Sequence, residues 1–119
     1  MPTLTQFVGA ATAAYSAALV VSPTVLIKPC GLEDSRDTRT LTRAIGARDT
    51  AIGLVMVLAP AGRARQLATG ARVVADWSDA GAFAAGLAGR GTRSKVVGFA
   101  AVWGALSLLA GVLDERAGR

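Results

Sequence analysis

The stretch Arg72-Val-Val-Ala-Asp76-Trp-Ser-Asp79-Ala-Gly-Ala-Phe-Ala-Ala-Gly-Leu-Ala-Gly89 decides how this chain is read. Its second half is Ala, Gly, Phe and Leu, and suits a helix in lipid. Its first half carries Arg72, Asp76 and Asp79. These are spaced i, i+4, i+7, so a helix of 3.6 residues per turn puts all three on one face. Charged groups in a membrane span are costly, about 2.5–3.5 kcal/mol each at the helix centre on insertion scales. They are kept where they face a bundle interior and meet partners.

Working outward, three further apolar segments surround this one. The predicted spans run over about 4–27, 41–59, 66–88 and 95–113. The first has no charge between Leu4 and Ile27, with Pro23 near its end as a kink or stop. The fourth, from Lys95, is clean up to Asp114. Both are long enough to cross a hydrocarbon layer of about 30 Å. The second and third have apolar runs that are too short alone. They span only if their charged halves turn inward. Connectors of a few residues, around Pro60–Arg65 and Gly89–Ser94, make neighbouring helices antiparallel. The expected fold is all-α, a membrane-embedded antiparallel four-helix bundle in one domain over 1–119. Lys28–Thr40 is read as a polar connector, and Cys30 as an ordinary residue of it.

Composition agrees. Hydrophobic residues make up 52% and charged ones 18%, with mean hydropathy +0.45, whereas soluble domains carry about 25% charged residues. A net charge of +5 raises the question of nucleic acid. The basic residues sit at segment ends and form no stripe with interleaved aromatics, so no nucleic-acid partner is expected. Counted near the segment ends, they place the first and third connectors in the cytoplasm and both termini outside. One cysteine and no histidine rule out an internal disulfide, the usual zinc sites and His-dependent nucleophilic catalysis. No metal or cofactor is expected. Met1–Thr5 lacks the basic start of a signal peptide, although the small residues near Tyr15 leave cleavage open.

Small residues at every fourth position, Ala10-Ala14-Ala18-Ser22 and Ser78-Ala82-Gly86, are read either as close-packing faces or as chance in an Ala-rich chain. Gly46, Gly53 and Gly98 are expected to permit close helix contact.

The charged halves nearly cancel: Arg48, Arg72 and Lys95 against Asp49, Asp76 and Asp79. Arg48 reaches Asp79 only if the second segment starts well outside the hydrocarbon. One reading makes this a structural network that fixes which helix packs on which. The other makes it a polar site, with Arg48, Asp49, Arg72, Trp77, Tyr15 and Trp103 as binding residues. Asp76 and Asp79, three residues apart, repel each other. That repulsion favours a proton held on one of them, the requirement for a general acid. Such an acid suits isomerisation or cyclisation of a lipid-soluble molecule, with Trp77, Phe83, Phe99 or Trp103 around it. Tyr15 is expected to place its hydroxyl on Asp76, Asp79 or a backbone carbonyl. Binding without chemistry uses the same residues. The partners expected are the bilayer, a small hydrophobic ligand, and a second copy or larger membrane partner.

Gly46-Ala47-Arg48-Asp49 and the Arg72, Asp76, Asp79 set also resemble a family of small membrane proteins, domain of unknown function 4267, and more distantly the DoxX-like proteins. The resemblance implies four membrane helices, a Gly-Ala-Arg-Asp signature opening the second, and an Arg-plus-Asp pair in the third. It implies no reaction.

Overall fold

A computed structural model describes residues 3–117. Among them the chain is entirely helical between its turns. Five helices follow in order: α1 (Leu4–Val21), α2 (Thr24–Cys30), α3 (Arg36–Leu58), α4 (Arg63–Gly86) and α5 (Arg93–Ala117). The first apolar segment is thus two helices. Pro23 cannot donate to the carbonyl four residues back, so α1 stops at Val21 and a seven-residue α2 restarts beyond it. The polar connector expected over Lys28–Thr40 is also largely helical. Ser35 accepts from the Thr38 N–H and starts α3 at Arg36, five residues earlier than expected.

The four long helices run up and down, each antiparallel to its neighbours. α1 packs closely on α3, and α4 on α5; the contacts between these two pairs are looser. The bundle measures 47 × 26 × 19 Å. α1 and α5 are long and apolar enough to cross a membrane; among the described residues no other helix meets that measure.

The buried faces have an unusual composition. On α1 they are Thr5, Gly9, Thr12, Ser16 and Leu19; on α3, Thr42, Gly46, Asp49, Gly53 and Met56. Both sets step by four, three, four and three residues, the 3.5-residue repeat of left-handed helix pairs. On α4 the buried set includes Thr69, Arg72 and Asp76, and on α5 Gly104 and Ser107. Many of the large apolar side chains point outward: Phe7, Val21, Leu41, Leu58, Leu67, Val74, Phe99 and Val102 are all more than half exposed, while Leu19, Ile27, Met56, Val73 and Leu87 are buried. A water-soluble core places these the other way round.

The stripes expected at Ala10-Ala14-Ala18-Ser22 and Ser78-Ala82-Gly86 are mostly exposed and do not form the contacts. The close approach lies one face away. A Cβ on Gly46 would sit 2.7 Å from the Ser16 carbonyl oxygen. Gly98, by contrast, faces open space.

Buried hydroxyls are satisfied along their own helices. Thr50, Thr69 and Ser107 each donate to the carbonyl four residues back. Arginines serve the helix ends. Arg43 donates to Val20 O, Arg65 to Ala59 O, Arg90 to Gly31 O and Arg93 to Ala84 O. Each reaches a carbonyl at the end of a helix, where backbone acceptors lack partners. That placement gives these four arginines a role within the fold.

Candidate functional site

Three carboxylates and two guanidiniums form one chain of ion pairs between α3 and α4. Arg72 is its anchor, with its side chain 2% exposed. It grips Asp76 with two bonds, Nη2 to Oδ1 at 2.5 Å and Nε to Oδ2 at 3.0 Å. Its remaining nitrogen, Nη1, lies 3.0 Å from Asp49 Oδ1. Asp49 also accepts from Arg48 Nε at 2.8 Å, and Arg48 Nη2 reaches Asp79 Oδ2 at 2.9 Å. The order is Asp76, Arg72, Asp49, Arg48, Asp79. The first two turns of α3, with Arg36, Asp37, Arg39 and Arg43, carry its polar start, and the short 59–62 turn sets Arg48 and Asp49 opposite the middle of α4.

The Arg48–Asp79 pair agrees with the sequence expectation. Two other placements differ from it. Lys95 is exposed and takes no part in the network. Asp76 and Asp79 are not a mutual pair, since each faces an arginine instead of the other carboxylate.

A cavity of about 260 Å³ opens beside the network, between the α1–α3 and α4–α5 pairs. Asp49, Arg72, Asp76 and Asp79 form its charged side. Tyr15, Phe83, Phe99 and Trp103 contribute rings, and Leu19, Leu26 and Ile45 fill in between. Phe99 stacks on Trp103 with centroids 6.1 Å apart and planes 9° from parallel, and Tyr15 tilts against Phe99 at 6.1 Å. Trp103 is fixed by a 2.9 Å bond from its Nε1 to Thr12 Oγ1. The Tyr15 hydroxyl makes none of the expected bonds to Asp76, Asp79 or a backbone carbonyl; its ring is what lines the space. Trp77 is absent from the lining. Its indole lies on the α5 side, over Gly104, and donates to Ala101 O at 3.3 Å.

Sequence reasoning missed Thr12, which holds Trp103, and Leu26, which α2 brings over one end of the cavity. It also missed α2 itself. Thr92 Oγ1 donates to Cys30 O at 2.7 Å, and Cys30 is fully buried, so the connector residue expected there is an interior one. A second cavity, about 660 Å³, lies at the opposite end of the bundle. It has no aromatic ring, and two of its charged residues, Arg65 and Asp114, already serve the backbone.

No family model, curated protein or solved structure matches this chain. None of these comparisons supports the expected likeness to domain of unknown function 4267.

Proposed function

We propose that the chain is a multi-pass protein of the cell membrane whose four long helices all cross the bilayer and enclose a binding pocket for a small, largely apolar molecule. The observation that carries this reading is the inverted bundle: Arg72, Asp76, Asp49, Thr5, Thr12 and Ser16 lie inside while Phe7, Leu58, Leu67, Val74 and Val102 lie outside. Lipid accepts that surface. α3 and α4, too polar to cross alone, cross as partners because their charges meet each other. The pocket adjoins the end with α2 and the 87–92 turn, which the basic residues assign to the cytoplasm.

Binding fits the site better than acid catalysis. A general acid needs a proton to give, and each candidate carboxylate is instead held by a guanidinium. The network also supports a second reading, a purely structural one. It links α3 to α4, a looser contact than α1–α3 or α4–α5, and so it fixes the assembly of the two pairs.

Two measurements test the proposal. A short protease site is inserted after Glu33 or after Ala61, and vesicles of both orientations are digested. Cleavage from opposite sides is expected; cleavage from the same side refutes a crossing by α3. In Trp77→Phe protein, which retains Trp103 alone, added toluene is expected to alter the indole emission. Ala100→Phe, which fills the cavity, abolishes that response. A response equal in both proteins leaves only the structural reading.

A further inference from the structure

Three carboxylates line or join this network against two guanidiniums. With Asp49, Asp76 and Asp79 ionised and Arg48 and Arg72 charged, one negative charge remains. Lys95, at the start of α5, is exposed and does not line the cavity. Each nitrogen of Arg72 already faces a carboxylate, Nε and Nη2 on Asp76 and Nη1 against Asp49. An unbalanced charge beside an apolar cavity is costly unless something neutralises it. A proton does so, and so does a cation.

The opposite wall decides between a bare ion and an organic one. Tyr15, Phe99 and Trp103 form a continuous aromatic surface, and Phe83 adds a fourth ring from α4. Ring faces attract ammonium groups, more strongly where water is excluded, and such walls recognise alkylated ammonium ligands. A hydrated metal ion gains little from them. Of the three carboxylates, Asp79 is the most accessible, with its side chain 22% exposed against 9% for Asp76 and 11% for Asp49. It stands at the end of the network and shares the cavity lining with Phe83, one turn further along α4.

From this geometry we infer that the pocket takes a small organic cation, an alkyl- or arylammonium, with its charge toward Asp79 and its apolar body against Tyr15, Phe99 and Trp103. The cavity of about 260 Å³ is at the lower end of ligand-sized sites, which limits the body to about one ring with short substituents. The inference rests on the pocket reading above and specifies its ligand class.

The test uses the full chain carrying Trp77→Phe, in nanodiscs of zwitterionic phosphatidylcholine, with Trp103 emission as readout. Three probes of nearly equal shape are titrated: benzyltrimethylammonium, its neutral isostere neopentylbenzene, and phenylmethanesulfonate. Concentrations are corrected for partition into empty nanodiscs. The cation is expected to bind at least about tenfold more tightly than the neutral probe, and the anion not to bind. Asp79→Asn is expected to bring the cation's affinity down to that of neopentylbenzene in the same variant. The comparison within the unsubstituted site needs no variant to fold. Equal affinities for cation and neutral probe, or preference for the anion, overturn the cation assignment and leave the pocket standing. No response to any of the three overturns the pocket as well.

Discussion

Gly9 and Gly53 meet face to face where α1 crosses α3. A Cβ on Gly53 would lie 2.7 Å from the Gly9 carbonyl oxygen, and one on Gly9 would lie 2.9 Å from that of Gly53. The obstacle is backbone in both cases, so it cannot swing aside. Gly53→Ala is expected to destabilise the bundle by about 1–3 kcal/mol through overpacking. Gly98→Ala, in open space on α5, is expected to be neutral or to stabilise by up to about 1 kcal/mol from helix propensity. Thermal unfolding in one detergent ranks the two; equal effects would disprove the close contact.

Arg72 holds two carboxylates, whereas Asp76 holds one guanidinium. Arg72→Met therefore strands Asp76 inside the bundle and leaves Asp49 with Arg48 alone. It is expected to cost about 3–5 kcal/mol, and more than Asp76→Asn. Adding Asp76→Leu to Arg72→Met should recover part of the loss, because one stranded charge disappears. Unfolding midpoints of the three variants, measured at one protein-to-detergent ratio, check that order.

The Trp103–Thr12 bond fixes one wall of the cavity from across the α1–α5 interface. Replacing Thr12 by Val leaves the indole N–H without its acceptor and is expected to cost about 1–3 kcal/mol. Once Trp103 is Phe, the same Thr12→Val change should cost far less. A double-mutant cycle reads the coupling directly, and additive effects would mean that the bond does not form.

Asp114 follows Leu113, the last apolar residue of α5, and so lies past the hydrocarbon stretch. Its carboxylate accepts the N–H groups of Leu4 at 3.1 Å and Thr5 at 2.6 Å, capping α1 from another helix. Partial burial works to raise its pKa, but the hydrogen bonds from Thr5 and Leu4 prevail and hold it below the usual carboxylate range. A depressed folded pKa gives stability that is present above the unfolded value, about 3.9, and is lost as pH falls through the folded one. Asp114→Asn should thus be less stable than the parent at neutral pH, and the gap should narrow below about pH 4. A gap independent of pH would refute the charged cap.

The four long helices were legible because Pro23 and Pro60 punctuate them and because charge is sparse between the ends of the first and fourth segments; the Ser35 cap that starts α3 was not read. The faces were not. Hydrophobic periodicity locates a helix's inner face by its large apolar residues, and here those residues point out. The inner repeat, Thr5-Gly9-Thr12-Ser16 against Thr42-Gly46-Asp49-Gly53, is written in small and polar residues, where periodicity analysis looks for a solvent face. The Arg48–Asp79 pair followed from sequence once depth was considered. The Arg72–Asp49 pair did not, because the level of Arg72 against Asp49 depends on where the α3–α4 turn falls, and it spans 59–62 instead of the expected 60–65. Lys95 was misplaced for a related reason: the start of a helix fixes its depth but not the direction it faces.

The burial of Cys30 has a practical use. It is the chain's single thiol, buried at the last residue of α2 and tied through its carbonyl to Thr92. A maleimide can reach it only when that short helix lifts away. The alkylation rate of the unaltered protein thus serves as a clock for the opening of one end of the bundle, with no engineered reporter.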